Sequence, residues 1–565
     1  MPSPNAAVAA LLREYSELVV ITGGDQFRAR NYEKAAKAVG GFADDVTGMR
    51  QAALVAIPGV GKSIAGKIAE YQRTGTIAAL EELRGKVPPG VREMSKVPGL
   101  GPKRALQLAR ELGIGSVADL EAAVREGKLR DLAGFGAKSE ERILRGLAVI
   151  SAGEGRVRID VALDAATRIT AALGPLAGRV AYAGSLRRMR ETIGDVDILA
   201  TAGSDEQAAA LMTAFRDLAP EVIVSGPAKT SMRMDSGLQV DLRVVKPEAW
   251  GAALQYFTGS QAHNVAVRQI AIRRGLKLSE YGLFDGEKLL VSATEEDVYA
   301  ALGLAWMPPE MREDTGEVEL AARGEMPSLV REEDLRGDLH THTSLTDGVA
   351  SLAEMIAAAE RRGYEYYAVT DHAPNLVMQR MTDEKILAQR TELARIASSM
   401  RLLHGAELNI APDGSVDWEA GFLAGFDICI ASVHSHFDMD RAAMTRRFVA
   451  ACENPGVNVI GHPLTRKIGR RPPVDVDLAE LFAACARTGT ALEVNASPSR
   501  LDLPAEHIRA ARDAGVKFAI DTDAHSVHDL GNVPYGVGTA RRGWLTQDDV
   551  INCWPLEKLL DFLRK

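Results

Sequence analysis

The chain has 565 residues, 46% of them apolar and 25% charged, with a formal net charge of -9. That length exceeds what one hydrophobic core organises and implies roughly three to five domains. The composition is that of an ordinary soluble globular protein and excludes collagenous, disordered and disulfide-rich classes. No apolar run approaches the ~18 residues of a membrane span, and the N-terminus lacks a signal-peptide pattern. The cysteines Cys429, Cys452, Cys485 and Cys553 form no CxxC pair, which argues against a thiolate zinc site and fits a reducing cytosol. A cytoplasmic location without membrane contact is expected. The charge is uneven: residues 1–150 are net basic by about five charges, 151–330 net acidic by about six and the rest by about eight. The N-terminal part is therefore the expected phosphate-facing surface.

Residues 1 to about 153 read as short helices punctuated by Gly and Pro, divisible near residue 85. A near-repeat runs through them: IPGVGKSIAGKI at 57–68, VPGLGPKRALQL at 97–108 and a weaker LAGFGAKSEERI at 132–143. The spacing predicts one helix–loop–helix unit used three times. In the first two copies glycine lets backbone N–H groups face outward, and the following helix N-terminus favours an anion. Lys62 and Lys67, then Lys103 and Arg104, stand beside them. One such loop is often a plain connector; two close copies point to phosphate binding. They resemble helix-hairpin-helix motifs, which hold DNA backbone without reading sequence. The resemblance puts the grip on Gly59, Gly61, Lys62, Gly99, Gly101 and Lys103. Residues 1–85 also resemble the small N-terminal domain of family X DNA polymerases, and 86–153 become a second helical DNA-binding subdomain. In that family a lysine after the hairpin forms a Schiff base with an abasic sugar. Lys67 falls at the matching place, either for this 5′-deoxyribose-phosphate lyase chemistry or as a further phosphate contact.

From 154 to 250, strand-like runs (VDILA, EVIVSG, LQVDLRVV) alternate with Ala-rich helices, an α+β pattern. Asp195 and Asp197 stand at i and i+2 of a strand and so face one side. Asp241, on another strand-like run, offers a third carboxylate. Convergent oxygen ligands suit two Mg2+ or Mn2+ ions, the arrangement that serves phosphoryl transfer from a nucleotide. Gly184 and Ser185 form a tight turn able to hold phosphate oxygens, and Arg188 can pair with a phosphate. Solvated loop acids also give a bare DxD; the glycine–serine turn ten residues upstream and the third Asp make this one specific. GSLRRMRETIGDVDIL, 184–199, resembles the nucleotidyltransferase superfamily and, within it, the family X polymerases with their palm domain. YFTGSQAHNVAVRQIAIRRG, 256–275, narrows the resemblance to that family. It implies that Tyr256, Phe257 and Gly259 line the nucleotide sugar and reject a 2′-hydroxyl, that Asn264 contacts the incoming nucleotide, and that Arg268 contacts the template. Without the resemblance, Tyr256 and Phe257 read as core packing. Residues 251–322 are then a nucleotide-selecting, thumb-like subdomain. Met189 stands where the family often has Gly, so a reshaped triphosphate loop is expected. Residues 323–337 are charged, lack periodicity and read as a linker.

From 338 to 565 strand and helix alternate. The strands are GDLHTH, YYAVTDH, LLHGAELNI, DICIASVHS, VNVIGHP, ALEVNAS and KFAIDTDAH, separated by amphipathic helices such as SLAEMIAAAERRG. Seven β/α units predict a parallel barrel related to the TIM barrel. Of the 11 histidines, all but His263 fall here. His340, His342, His372, His434, His462 and His525 lie at C-terminal strand ends, with Glu407 and Asp523 at equivalent points and Asp347 five residues past His342. In such barrels those ends converge on one face. Six imidazoles and three carboxylates suit two or three ions of Mn2+, Zn2+ or Fe, not Ca2+, and hydrolysis of a phosphoester. His404, His436, His507 and His528 are expected outside the cluster, with His436 a rival to His434. The motifs DLHTHTSLTDG, VTDHA, GAELNI, SVHSHF, GHP and DTDAH, in this order, resemble the PHP (polymerase and histidinol phosphatase) family. The resemblance implies a (β/α)7 barrel with up to three ions on those nine residues. In polymerase-linked members it implies 3′–5′ exonuclease or abasic-site phosphodiesterase activity.

The whole chain thus resembles a bacterial or archaeal-type family X DNA polymerase with a C-terminal PHP domain. That implies a monomer acting on gapped, nicked or recessed-end DNA with deoxynucleoside triphosphates, filling short gaps during repair. Two other readings stay open: a PHP nuclease whose polymerase half only positions DNA, and a non-catalytic DNA-binding scaffold. An RNA- or tRNA-directed nucleotidyltransferase is disfavoured by YFTGS and the hairpin copies.

Overall fold

The computed structural model describes residues 4–564 apart from 41, 43, 89, 98, 131, 137–138, 145, 148–154, 219–220, 227–228 and 235–236. Helices Pro4–Ile21 and Gln26–Gly40 lead and pack on each other. Two short-helix, turn, helix units follow: Gln51–Leu54 with Lys62–Thr74, and Val91–Met94 with Pro102–Glu111. Their turns require glycine. Gly59 and Gly99 have φ of 82° and 87°, a region that costs an L-residue energy, and a Cβ on Gly99 would fall 2.6 Å from Arg142 Cγ. The weaker third repeat keeps Gly134 at φ 87°, while its residues 137 and 138 lie outside the described residues. One buried cluster runs from Val8 to Leu147 and takes in Val349 of the C-terminal half.

The next part is α+β. Its strands are β1 (Val157–Arg158), β2 (Val180–Tyr182), β3 (Thr192–Ile193), β4 (Asp195–Thr201), β5 (Glu221–Ser225), β6 (Lys229–Arg233) and β7 (Gln239–Val245). Five of them form a sheet in the order β2-β4-β7-β6-β5, with β4 parallel to β7. Strand periodicity decides what each face carries. Val196, Ile198 and Ala200 of β4, with Val240 and Leu242 of β7, pack on helices Ile159–Leu173 and Asp205–Arg216. Asp195, Asp197 and Asp241 therefore share the opposite face. Helices Trp250–Thr258 and Gln261–Arg273 lead to an antiparallel sheet of β8 (Lys277–Ser279), β9 (Gly282–Asp285) and β10 (Lys288–Val291). Its core gathers Val267, Ala271, Leu283, Val298, Tyr299 and Met307.

The segment 323–337 connects the halves but is not a free tether. Leu329 bridges to Thr546, Val330 N donates to Leu545 O at 2.9 Å, and Arg336 N donates to Asn552 O at 2.8 Å. Val330 and Leu335 are buried in the core of the C-terminal half. Three apolar residues among charges sufficed to strap it down, too few to show as periodicity.

The C-terminal half is a barrel of seven parallel strands in chain order: β11 (Gly337–Asp338), β12 (Tyr366–Val369), β13 (Arg401–Asn409), β14 (Ile428–Ser432), β15 (Val459–Ile460), β16 (Ala491–Asn495) and β17 (Phe518–Asp521). The ends of the sheet meet: Leu339 N donates to Asp521 Oδ1 at 2.9 Å and His342 N to Ala524 O at 2.8 Å. Leu339, Leu403, Ile430, Val459 and Ala519 fill the interior. Helix Leu556–Leu563 closes the end where strands start, since Asn458, just before β15, donates to Leu563 O at 2.8 Å. Only the C-terminal strand ends remain open. No helix among the described residues is long and apolar enough to cross a membrane, and all four cysteines are buried thiols outside any disulfide.

Candidate functional site

The barrel brings all nine expected metal-ligand candidates to its open end. His340 and His342 follow β11, His372 follows β12, Glu407 lies near the end of β13, and His434 and His462 follow β14 and β15. Asp523 and His525 follow β17, and Asp347 arrives on the loop after His342. Three overlapping donor sets result, each with ligand atoms within 4.8 Å of one another: His340, His342 and Asp523; His342, Asp347, His372 and His525; and His372, Glu407 and His434. His462 Nε2 joins them 3.1 Å from Glu407 Oε1. His436 is exposed and turned to Ser435, so His434 is the residue in the cluster. His404 instead accepts from Arg390 Nε at 3.2 Å and stacks on Phe426.

The donor chemistry fits cations. His340 Nε2 and His342 Nε2 face each other at 3.2 Å. Asp347 Oδ1 lies 3.3 Å from Nε2 of both His372 and His525, and His372 Nδ1 lies 2.8 Å from Glu407 Oε2. Asp347 Oδ1 and His372 Nδ1 are buried, and despite those short distances neither makes an aligned hydrogen bond, a cost of about 1–3 kcal/mol each. Lone pairs that converge without donating to one another are what positive ions between them would satisfy. Burial, with the charges of His525 and His372, pushes His342 down to about 4, and burial with Arg500 pushes His462 down to about 3. Both shifts favour the neutral form that ligation requires; at His340, His372 and His525 burial acts the same way but the facing carboxylates outweigh it and favour protons, which bound cations would replace. Burial also raises the Glu407 carboxyl, but the charges of His434, His372 and His340 outweigh it and hold the group well below its ordinary range.

A surrounding layer orients these groups, and sequence reasoning missed it. His340 Nδ1 donates to Glu493 Oε1 at 2.7 Å, His434 Nδ1 to Asn409 Oδ1 at 2.8 Å, and His525 Nδ1 to Asp523 O at 2.7 Å, which leaves each Nε2 lone pair facing inward. Asn495 Nδ2 donates to Asp523 Oδ2 at 3.1 Å. Asp371 accepts from Thr343 N at 2.9 Å and Gln389 Nε2 at 2.6 Å, fixing the loop that carries Asp347. The available signal was Glu493 and Asn495 at i and i+2 on an apolar strand: two polar groups aimed into the barrel.

The second constellation sits on the bare face of the five-stranded sheet. Asp197 and Asp241 are directly opposite across the parallel pair β4–β7, with Asp195 two residues earlier. Gly184, at φ 63°, lies so close that a Cβ would fall 2.6 Å from Asp197 Oδ2, so only glycine lets the turn approach the acids. Burial, reinforced by Asp195 and Asp241, pushes the Asp197 carboxyl up to about 6, a shift that a cation bound between the carboxylates would reverse. Burial raises Asp241 as well, but hydrogen bonds from Lys229, Ser231 and Gln239 hold it below its ordinary range; the Lys229 Nζ–Asp241 Oδ2 distance is 2.6 Å. The turn Gly184–Arg187 carries Ser185, half-exposed. Beyond it Arg188 donates to Thr258 O at 2.5 Å and to Glu313 Oε1 at 3.2 Å. Arg187 donates to both oxygens of Glu295 at 2.8 Å, and the fully buried Arg312 adds a bond to Glu295 Oε1 at 2.6 Å. Glu295, Arg312 and Glu313 were not singled out in the sequence.

A protein of Bacillus subtilis (strain 168) described as DNA polymerase/3'-5' exonuclease PolX is 35% identical over 568 residues, covering 99% of both chains. The chain belongs to the family X DNA polymerases that carry a PHP domain. Family models match as Helix-hairpin-helix domain at 3–77, SAM-like Helix-hairpin-helix tandem at 91–148, DNA polymerase beta thumb at 253–313 and PHP domain at 338–497. Probable phosphatases of Shewanella sediminis (strain HAW-EB3) and Serratia proteamaculans (strain 568) are 30% and 29% identical over 241 residues, 40% of this chain and 93% and 94% of theirs.

In this family X chain the YFTGS segment lies beside the acids. Phe257 meets Tyr256 edge-on at 5.1 Å, and the Arg243 guanidinium, two residues past Asp241, sits 4.4 Å from the Phe257 ring centre. Gly259 has φ 68°, and a Cβ there would fall 3.1 Å from Arg188 Nη1. Asn264 Nδ2 donates to Tyr256 O at 2.7 Å, and Arg268 is half-buried one turn further along the same helix. Lys67, half-buried on Lys62–Thr74, holds its ammonium 5.5 and 5.7 Å from the Tyr15 and Tyr32 ring centres, while Lys62 and Lys103 are exposed. Met189 keeps a left-handed backbone, φ 54°, where the family often has glycine. Its side chain leaves the turn and packs on Gly538 of barrel helix Val533–Arg542; a Cβ on Gly538 would fall 2.5 Å from Met189 Cε.

Proposed function

We propose that the chain is a DNA-directed DNA polymerase that fills short gaps during repair and carries, in its barrel, a 3′–5′ exonuclease or abasic-site phosphodiesterase. The observation that carries this reading is the coexistence of two different donor sets: three carboxylates without a histidine on the sheet, and six imidazoles with three carboxylates in the barrel. Asp195, Asp197 and Asp241 would hold Mg2+ or Mn2+; the nine barrel residues would hold two or three ions of Mn2+, Zn2+ or Fe. When bound, such ions supply a nucleophile at neutral pH and neutralise phosphate charge. The chain's own groups do the rest. Gly184, Ser185 and Arg188 bind the triphosphate, Tyr256, Phe257 and Gly259 select the sugar, and Asn264 touches the incoming nucleotide. Gly59, Gly61, Lys62, Gly99, Gly101 and Lys103 hold the DNA backbone, and Arg268 the template. Glu493, Asn409 and Asp371 fix the barrel imidazoles and loop in position. Lys67 is the candidate lyase nucleophile, its amine shielded by two tyrosine rings. The substrates are gapped, nicked or recessed-end DNA and deoxynucleoside triphosphates, and the protein acts as a cytoplasmic monomer.

A 5′-labelled primer on a gapped template, with Mn2+ and with or without deoxynucleotides, tests the reading. Wild type is compared with His342→Ala and Asp197→Ala. Shortening should require His342 and lengthening should require Asp197. Shortening that survives His342→Ala would remove the exonuclease from the barrel. Shortening without any lengthening in the wild type would instead favour a nuclease with a DNA-positioning half.

A further inference from the structure

Two cavities between the N-terminal helices and the barrel share one lining side chain, Arg13. The larger, about 610 Å3, has the barrel's ligand candidates on its floor with Lys467 and Arg500 beside them. Its opposite wall is formed by Arg13 of helix Pro4–Ile21 and Lys37 of helix Gln26–Gly40. The smaller, about 350 Å3, shares Arg13 and adds Lys96, Arg470 and Pro102, with Glu33 and the Arg92-paired Glu17 also on its wall. Pro102 is the first residue of the helix that follows the second glycine hairpin. Arg13 thus stands between the barrel cluster and that hairpin, facing both cavities.

Protein carboxylates match the cations of the two cavities only in part. Arg13 and Lys37 are exposed and make no ion pair among the described residues. Lys37 is close enough for its charge to act on both His525 and Lys467. Arg500 keeps Nη1 buried and without a partner, its Nε 3.6 Å from Asp523 Oδ2. Positive groups on both walls over a floor suited to metal ions match a chain of phosphates. Cavities of these volumes hold drug-sized ligands, here a nucleotide or two each.

We propose that Arg13 and Lys37 of the N-terminal helices are binding residues for the strand that the barrel cuts. The terminal phosphodiester lies over the cluster between Lys467 and Arg500. The phosphates behind it follow Arg13 to Lys96, Arg470 and the second hairpin. The inference rests on the barrel being a phosphodiesterase, as proposed above.

The test uses the full-length holoprotein and a fluorescein-labelled phosphorothioate oligothymidylate ten-mer, which resists cleavage. Fluorescence anisotropy gives Kd between 50 and 200 mM salt. Each phosphate contact to a single strand contributes about 0.7 to the slope of log K against log salt. Arg13→Ala with Lys37→Ala should therefore lower the slope by about 1.4, and Arg13→Lys with Lys37→Arg should restore it. In the same double alanine variant, KM for shortening an ordinary oligonucleotide should rise at least ~10-fold, the loss of roughly 1.4 kcal/mol of binding. Hydrolysis of bis(p-nitrophenyl) phosphate, too small to reach the wall, should match wild type. An unchanged slope and KM overturn the proposal. A lowered slope in a protein whose wild type hydrolyses neither substrate upholds the strand site and overturns the phosphodiesterase reading instead.

Discussion

Glu295 is where the two polymerase subdomains are clamped by charge. Both its oxygens are taken by Arg187 of the Gly184–Arg187 turn, and Oε1 also by Arg312, which is 0% exposed. Glu295→Gln keeps the shape and removes the charge, leaving a buried guanidinium uncompensated. Loss of one partner from a buried pair costs about 3–5 kcal/mol. The carboxyl's own titration gives a similar figure. Burial raises it, but the Arg312 charge and the bonds from Arg187 and Arg312 prevail and hold it at about 2 against an ordinary 4.5. That difference is worth about 3 kcal/mol at neutral pH. Because the folded-state value is depressed, this stability is fully present above about pH 4.5 and is lost as pH falls towards 2. Trp306, whose indole N–H donates to Glu295 Oε2 at 3.3 Å, reports the change. Urea unfolding followed by tryptophan fluorescence should show Glu295→Gln less stable by about 3 kcal/mol at pH 7, with its deficit shrinking on acidification through the window. A variant within ~1 kcal/mol of wild type at pH 7, or one with an unaltered acid dependence, would refute the clamp.

Glu493→Gln removes the acceptor that fixes the His340 ring; metal titration of the isolated protein should show affinity weaker by about 10–100-fold. Lys229→Met takes away the cation that lowers Asp241, so the acid limb of the primer-extension pH profile should move to higher pH, as pre-steady-state rates would register. Lys67→Ala should abolish borohydride trapping of the protein on DNA bearing a 5′-deoxyribose phosphate, while Lys62→Ala should trap normally; equal trapping by Lys67→Ala would return Lys67 to a phosphate contact.

The barrel and its inward residues were legible because the strand period fixes which side chains face the interior, and because each candidate falls at a strand's end. The acids of β4 and β7 were legible for the same reason: alternation sends Val196 and Ile198 to the helices and the aspartates to the open face. Glu493 was not, because its alternation with Asn495 on an apolar strand marks two inward polar groups without saying which imidazole they meet. The pairing of Arg187 with Glu295 spans 108 residues, and composition says nothing of burial, so a fully buried Arg312 has no local signature. The strap at 329–336 was read as a linker because its three apolar residues act only through the partners they find. The cations Arg13 and Lys37 sat in a net basic segment, and only the packing of that segment on the barrel gives them a direction.

The seam at Met189 and Gly538 makes the barrel a structural neighbour of the turn that faces the three aspartates. Arg542, four residues beyond Gly538, donates to Arg188 O at 2.8 Å and to Glu313 Oε1 at 2.9 Å. The guanidinium that would meet the triphosphate therefore shares its carboxylate with one from the other half. Excising the polymerase half at the strap would bare a methionine held in a left-handed backbone and return Glu313 wholly to Arg188 and Arg190. The isolated half would then be a poor proxy for its behaviour in the whole chain.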